Sequence, residues 1–252
     1  MSETKPRYGY RAAPQLSANQ IAEYLGATAP RRTSIIRDAR FPKTSVVARY
    51  EKAREGLVNF LGDGTRSIRH LAEAAEYLER RKNRLLASEW IIQDSQFSLE
   101  AIDIFQRSYN KLGLHKINCR LPQGRLPHLL FGGTRVSVAL DVITIRSGRD
   151  TTDNIGGAVL IFSRGEKSTN ARVDRCKTIA GLIYIYCQRH LTTLGTVDPK
   201  LCLAVDIFAP ETYACPGTFA KKMLQIENAG EEIAARWSTI APPIDYDGPE
   251  PD

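Results

Sequence analysis

The sequence of 252 residues has no run of apolar residues long enough to cross a membrane. A membrane-spanning helix needs about 20 consecutive, mainly apolar residues. The N-terminal stretch MSETKPRYGYRAAPQ also lacks the apolar core of a secretory signal peptide. We therefore expect a cytoplasmic protein that has no membrane partner.

Cysteine and histidine are both scarce, with five and four residues respectively. No two cysteines form a C-x-x-C pair, and an odd number of scattered cysteines argues against a disulfide framework or a zinc cluster. The histidines show no metal-ligand spacing, and no Walker or Rossmann glycine motif is present. We expect the cysteines to be reduced and mostly buried thiols.

The positive charge is unevenly distributed along the chain. Residues 1–90 hold 17 Lys/Arg and 10 Asp/Glu, whereas residues 91–252 hold 18 of each, so the first segment carries the whole net charge of +7. The excess is greatest at residues 31–54, where eight basic residues face only Asp38 and Glu51. Such a cluster attracts phosphate backbones, although a solvated helical face would look the same. The predicted nucleic-acid contacts in this stretch are Arg31, Arg32, Arg37, Arg40, Lys43 and Arg49.

The pattern of the chain predicts three regions. Residues 1–92 read as a basic helical region with helices at 17–25, 45–61 and 67–90, the first of which has capping-box spacing at Ser17 and Gln20. Residues 93–240 read as an α/β region, and residues 241–252 as a disordered acidic tail.

Alternation and apolar runs predict the elements of the α/β region. Helices are predicted at 98–112, 171–193 and 218–238, and strands at 116–121, 134–146, 155–163 and 200–208. Consecutive strands favour a meander, and a strand–helix–strand segment favours a right-handed crossover between parallel strands. The predicted fold is therefore α/β, a mixed β-sheet flanked by helices, behind an N-terminal helical region.

One predicted strand, VSVALDVITIRS, carries a single carboxylate at Asp141. A buried charge costs several kcal/mol unless it is paired. Asp141 is therefore either a metal ligand or a structural acid held by Arg, Ser or backbone N–H groups. Asp206, in the strand KLCLAVDIF, poses the same question, and there we favour the structural role.

The element order and the acidic strand together resemble the restriction-endonuclease-like (PD-(D/E)XK) nucleases over residues 96–209. The resemblance implies that Asp141 and Glu100 hold Mg²⁺, which would activate water for phosphodiester hydrolysis. The third strand, GGAVLIFS, lacks the acid and lysine that the family places there. Glu166 and Lys167, just beyond that strand, are the candidate substitutes. The resemblance thus implies either an atypical nuclease or one that has lost catalysis.

Cations also stand at the start of the predicted helix 171–193. Arg172 and Arg175 could bind phosphate or stabilise transition-state charge, although ordinary first-turn charge is the alternative. The sequence as a whole predicts a protein that binds DNA or RNA and has a nuclease-like core behind a basic helical region. The alternative is a non-catalytic scaffold or interaction subunit of a larger assembly, with a protein partner. A helix-turn-helix regulator is a third reading, but the segment between the first two helices is too long for that motif.

Overall fold

The structure, a computed structural model, describes residues 6–44, 49–124, 127–148, 152–164 and 169–250. The chain divides into two compact units, each built from separate segments. Unit 1 comprises Met1–Val47, Leu126–Ala139 and Thr218–Asp252, and unit 2 comprises Ala48–Arg125 and Leu140–Gly217. The predicted boundaries at residues 92 and 240 do not coincide with this division, because the chain passes between the units four times.

The described residues form seven α-helices and eight strands. The helices are α1 (Ala18–Gly26), α2 (Ala29–Arg40), α3 (Glu51–Gly62), α4 (Arg69–Lys82), α5 (Glu89–Ser108), α6 (Thr169–His190) and α7 (Ala220–Trp237). The strands are β1 (Gln15–Ser17), β2 (Asn118–Arg120), β3 (Leu129–Phe131), β4 (Thr134–Ser137), β5 (Val142–Arg146), β6 (Asn154–Ile161), β7 (Thr196–Asp206) and β8 (Glu211–Ala214). None of the helices in this part of the chain is long and apolar enough to span a membrane.

Unit 2 contains a five-stranded mixed sheet in the order β2-β5-β6-β7-β8. Strands β6 and β7 are parallel, and every other neighbouring pair is antiparallel. Helix α6 connects the parallel pair and packs on both strands. Because β6 is buried along nearly its whole length, it is apolar without alternation. The α/β class and the predicted mixed sheet with a long helix on it are confirmed.

The helices α3, α4 and α5 belong to this same unit. Their buried faces, which include Leu57, Leu71 and Phe105, form one apolar cluster with Val142 and Leu203 of the sheet. The prediction from the sequence places α3 and α4 in a separate basic region, residues 1–92. Their apolar stripes instead join this cluster, α3 against β2 and β5 and α4 against α3 and α5, since a helical stripe must be buried against another element.

Unit 1 combines a three-stranded sheet, in the order β1-β4-β3, with α1, α2 and α7. Helix α1 begins after Ser17, whose side chain accepts the Gln20 N–H while Gln20 reaches back to the Ser17 N–H, so the predicted capping box is confirmed. Helix α7 approaches β3 so closely that a Cβ on Gly230 would lie 2.2 Å from the Phe131 carbonyl oxygen.

Three predicted elements differ in the structure. The strand predicted over 134–146 is two strands in different sheets, β4 in unit 1 and β5 in unit 2. The helix predicted over 67–90 ends at Lys82, and Ser88 then caps the start of α5. The tail, predicted to be disordered, packs on the N-terminal segment, where Arg7 pairs with Asp245 and Asp247.

All five cysteines are free thiols, four of them buried, as predicted. The predicted start of the helix over 45–61 lies outside the described residues.

Candidate functional site

The carboxylate of Asp141 lies directly before β5, at one end of the five-stranded sheet. Its backbone N–H donates at 2.9 Å to the carbonyl of Ala158, the residue of β6 that also pairs with Val142 at the start of β5. Its side chain turns to the same neighbour, where Oδ2 accepts the Leu160 backbone N–H at 2.7 Å. Strand β6 therefore holds both the backbone and the carboxylate of Asp141.

Arg54 of α3 provides the counter-charge. Its Nη1 donates to Oδ1 and Oδ2 of Asp141 at 2.8 and 2.6 Å, and its Nη2 donates to the Leu160 carbonyl at 2.9 Å. Leu160 thus donates to the carboxylate through its N–H and accepts from the guanidinium through its carbonyl. The guanidinium also lies 5.0 Å from the centre of the Phe162 ring, in cation–π contact.

Burial and the hydrogen-bonded partners of Asp141 act on its pKa in opposite directions. The side chain is 9 % exposed, and burial raises its pKa above the ordinary value, while Arg54 and the Leu160 N–H oppose the rise. Desolvation of a carboxylate commonly offsets most of the attraction to its partner in a buried pair. Three hydrogen bonds nevertheless go to the carboxylate, two from Arg54 Nη1 and one from the Leu160 N–H, so both of its oxygens have a partner within the protein.

The second predicted metal ligand, Glu100 of α5, has a different arginine as its partner. Arg164 lies 3.1 Å from Oε2 of Glu100 through Nη1. The same guanidinium stacks 4.0 Å from the ring centre of Phe97 and 5.1 Å from that of Phe208. Each of the two carboxylates expected to share a cation is therefore paired with its own guanidinium.

The remaining parts of the predicted magnesium site are not present among the described residues. Strand β6 carries no ionisable side chain, and Glu166 and Lys167 lie outside the part of the chain that the structure describes. Within the described ranges, no group of three or more His, Cys, Asp or Glu side chains is placed to hold a metal ion. Mg²⁺ prefers octahedral oxygen coordination, and the described residues, with their carboxylates paired to arginines, do not fit such a site.

Asp206, at the end of β7, is a structural acid as predicted. Arg172 of α6 contacts both of its oxygens, and the Ala209 N–H donates to Oδ1 at 3.0 Å. Arg172 also donates to the Ser163 carbonyl at 2.5 Å, and only 12 % of its side chain is exposed. The side chain predicted to bind phosphate is thus largely engaged in holding α6 to the ends of β6 and β7. Arg175, one turn later, is half-buried and also has partners within the protein.

A strained tyrosine borders the Arg54–Asp141 pair. Tyr50 adopts φ 64° and ψ 13°, a left-handed conformation that is costly for a bulky residue. Its N–H donates to Asp94 at 3.0 Å, and Arg81 pairs with the other oxygen of Asp94 at 2.7 Å. The Tyr50 ring stacks on Phe162 with centres 5.4 Å apart. This second buried pair holds the turn from which α3 carries Arg54 to the sheet.

The four residues of α2 that were predicted to contact nucleic acid all contact other residues of unit 1. Arg31 pairs with Glu23 at 2.7 Å, and Arg32 donates to the Tyr24 carbonyl at 3.1 Å. Arg37 donates to the Ala241 carbonyl at 3.2 Å. Arg40 is only 3 % exposed and cannot reach a phosphate in this arrangement.

The buried side chain of Arg40 has a structural role instead. Its Nη1 donates to the carbonyls of Trp237, Ser238 and Ile240 at 2.7–3.0 Å, which satisfies free carbonyls at the end of α7. Lys43 and Arg49 are the two predicted contacts that stay exposed with no ion pair to another described residue.

The basic excess is redistributed when the chain is divided into its two units. Unit 2 holds 23 Lys/Arg against 18 Asp/Glu, a net charge of +5, and unit 1 holds 12 against 10, a net charge of +2. The larger excess of basic residues therefore lies on unit 2, the α/β unit with the five-stranded sheet, and not on a separate helical region.

Sequence reasoning missed Arg54, although a signal was present. Arg54 falls within the apolar stripe of its helix, three residues before Leu57 and seven before Leu61, both fully buried. A charged residue in such a stripe implies a buried partner of opposite charge. Asp141, an acid in a predicted strand that needs a partner, was a candidate for that role.

Comparison with known proteins does not indicate a family for this chain. No protein-family model matches the chain, and no curated protein matches it.

Proposed function

We propose that this protein binds nucleic acid through an α/β unit that does not cleave it. The pairing of Asp141 with Arg54 carries the proposal. A catalytic carboxylate must leave lone pairs open for a metal and its waters, whereas both oxygens of Asp141 accept hydrogen bonds from the protein. Arg54 supplies a positive charge where a nuclease of the resembled family would hold a cation.

This arrangement gives Asp141 a mechanical role in place of a catalytic one. Through Arg54 it ties α3 to the end of the sheet, next to the Leu160 backbone. Arg54 Nη1 contacts both carboxylate oxygens while Nη2 contacts the Leu160 carbonyl, and together these bonds fix the distance and the rotation of the helix. In this proposal unit 2 is a rigid scaffold that holds basic side chains at its surface.

The charge of that surface supports nucleic acid as the partner. Of the 35 basic residues 24 are arginines, whose planar guanidinium suits bidentate phosphate contacts. Unit 2 has a net charge of +5. Several of its exposed basic side chains form no ion pair with another described residue, among them Arg49, Arg69, Arg84, Lys116 and Arg120.

Binding and cleavage assays on the full chain test the proposal. We expect single- or double-stranded oligonucleotides to bind with an affinity that falls steeply with salt, since each phosphate contacted contributes a slope of about 0.7–0.9 in the log–log plot. We expect no cleavage with MgCl₂ or MnCl₂, and equal binding in EDTA. Absence of salt-dependent binding would refute the proposal, and metal-dependent cleavage that Asp141→Asn abolishes would restore a catalytic role.

A thermal melt provides an independent check that needs no substrate. A ligand that binds only the folded state raises its melting temperature. We expect no magnesium-dependent rise in the wild type, because Arg54 holds the carboxylate. A rise that is present in the wild type and absent in Asp141→Asn would show that Asp141 binds the metal.

A scaffold subunit of a larger assembly is the second candidate. Leu85 and Leu86, in the turn between α4 and α5, are 99 % and 94 % exposed. Two adjacent exposed leucines are typical of a contact surface. This reading expects no salt-dependent binding of oligonucleotides, so the same titration separates the two candidates.

A further inference from the structure

Two short segments of unit 1 form a ribbon that presents basic side chains. Residues 6–11 run antiparallel to residues 40–44, with hydrogen bonds from Gly9 N–H to the Pro42 carbonyl at 2.7 Å and from Thr44 N–H to the Arg7 carbonyl at 2.9 Å. A bridge between Tyr8 and Lys43 lies between these bonds. We call these two segments the basic ribbon. Lys43 is exposed, as is 60 % of the Arg7 side chain.

The acidic tail lies across this ribbon through two carboxylates. The Arg7 backbone N–H and Nε donate to Asp247 at 2.8 and 3.0 Å, and Nη1 donates to Asp245 at 3.2 Å. Asp245 also accepts from the Tyr8 hydroxyl at 2.9 Å. The guanidinium of Arg7 is thus shared between two acids that stand two residues apart.

The residue between the two acids places an aromatic ring on the ribbon. The ring of Tyr246 meets Phe41 edge-on with centres 4.9 Å apart, and lies 5.8 Å from the ring of Tyr8. Both rings of the ribbon are buried, with 1 % of Phe41 and 6 % of Tyr8 exposed. The tail is therefore seated closely, and a Cβ on Gly248 would come within 2.6 Å of the Tyr8 carbonyl oxygen.

The sequence Asp245-Tyr246-Asp247 presents an anion, a flat ring and a second anion in order. A single strand of nucleic acid presents the same order as phosphate, base and phosphate. Proteins bind such strands by combining cationic side chains along the backbone with aromatic rings on which bases stack. Arg7 and Lys43 supply the cations, and Tyr8 and Phe41 supply the rings.

We infer that the basic ribbon is a single-stranded nucleic-acid site and that residues 245–247 occupy it as an internal competitor. This inference rests on the proposed function, that the chain binds nucleic acid, and adds to unit 2 a contact surface on unit 1. The ion pairs of the tail are at least one-third exposed on every partner, and such pairs are weak and screened by salt. A polyanion with many phosphates can therefore displace the tail.

Removing the charges of the competitor tests the inference on the full chain. Asp245→Asn with Asp247→Asn should raise the affinity for a fluorescein-labelled oligo(dT) longer than the roughly 4–16 nucleotides that one binding fold covers. If the free site is populated at 1–10 % in the wild type, the gain is about 10- to 100-fold. Adding Arg7→Ala to the double variant should reverse most of that gain.

A matched control removes the same charge from elsewhere in unit 1. Asp38 and Glu231 are exposed acids that form no hydrogen bond or ion pair with the described residues of the ribbon or the tail. The variant Asp38→Asn with Glu231→Gln should raise affinity far less than the tail variant. A peptide of residues 241–252, added in trans, should displace oligo(dT) from the tail variant.

The outcomes separate this inference from the proposed function. If oligo(dT) binds and the tail variant and the control change its affinity equally, general charge explains the effect and the competitor role is overturned. If the tail variant unfolds, as judged by its thermal melt, displacement of oligo(dT) from the wild type by the peptide decides, and failure to displace overturns the role. If oligo(dT) binds to no variant at any salt concentration, this inference fails, and the proposed function fails as well only if double-stranded oligonucleotides do not bind either.

Discussion

Nη1 of Arg54 lies 2.8 Å from Oδ1 and 2.6 Å from Oδ2 of Asp141, so one nitrogen contacts both oxygens of the carboxylate. The two side chains differ in their access to solvent, since 38 % of Arg54 is exposed and only 9 % of Asp141. The loss of one partner therefore leaves a half-solvated cation in one case and a buried anion in the other. The two losses should have unequal effects on stability.

We predict that Arg54→Ala lowers the free energy of unfolding by about 3–5 kcal/mol, because it leaves a buried carboxylate without its counter-charge. Asp141→Asn should cost less, about 1–3 kcal/mol, since Arg54 can turn to water. Urea unfolding at neutral pH measures both. Equal losses, or a larger loss for Asp141→Asn, would contradict this account of the pair.

A double variant provides the control for that prediction. Arg54→Met with Asp141→Leu removes both charges, so no buried carboxylate is left without its counter-charge, although the Leu160 N–H and carbonyl lose their partners. We expect the double variant to be more stable than Arg54→Ala alone. Oligonucleotide binding should persist in it, because the pair is structural in the proposed function.

We predict that Arg40→Met destabilises unit 1 by about 1.5–3 kcal/mol, since buried carbonyls lose a charged donor. The carbonyls concerned are those of Trp237, Ser238 and Ile240 at the end of α7. Arg31→Met is the matched control, because its pair with Glu23 is exposed and should contribute less than about 1 kcal/mol. Thermal or urea unfolding followed by fluorescence, in a Trp90→Phe background that leaves Trp237 as the single tryptophan, should separate the two, and equal effects would argue against the buried role of Arg40.

Asp63 should make the stability of the protein sensitive to acid. The N–H groups of Thr65 and Ser67 donate to its carboxylate at 2.9 Å and lower its pKa from 3.8 to about 2. Because the folded pKa is depressed, this contribution is fully present above pH 3.8 and is lost as the pH falls through 2. Asp63→Asn should be less stable at neutral pH and should lose less stability between pH 4 and 2. An NMR titration giving an ordinary pKa for Asp63 would contradict this prediction.

The close approach of α7 to β3 should not tolerate a methyl group. With a Cβ 2.2 Å from the Phe131 carbonyl oxygen, Gly230→Ala forces backbone movement and should cost about 1–3 kcal/mol or more. Gly26, at the end of α1, is the control, because a Cβ there meets nothing within 4 Å. Gly26→Ala should be neutral or stabilising by up to about 1 kcal/mol. Comparable losses in the two variants would refute the packing argument.

Elements with strong local signals were predicted well from the sequence. The capping box at Ser17, the apolar run of β6 and the long helix α6 are confirmed with small shifts in their ends. The division of the strand predicted over 134–146 could not be read in this way, because apolar alternation continues through the break. Only the pairing of β4 with β1 and β3, set by tertiary contacts, shows that the chain changes sheet there.

The candidate site shows the same limit. The sequence identified Asp141 and Asp206 as buried acids that need partners, and both have them. It could not identify the partner of Asp141, because Arg54 lies 87 residues earlier on a helix that had been assigned to another region. Distant pairing depends on how helices cover the sheet, which local periodicity does not specify.

The interleaving of the two units sets an order of events during synthesis. Every residue of unit 2 leaves the ribosome before the segment Thr218–Asp252, which completes unit 1. Elongation of those 35 residues takes about 2–7 s at 5–20 residues per second. Until that segment is available, β4 and α1 lack the apolar face of α7 that includes Ile226 and Ile233, so unit 1 can complete its core only after the whole of unit 2 has been synthesised.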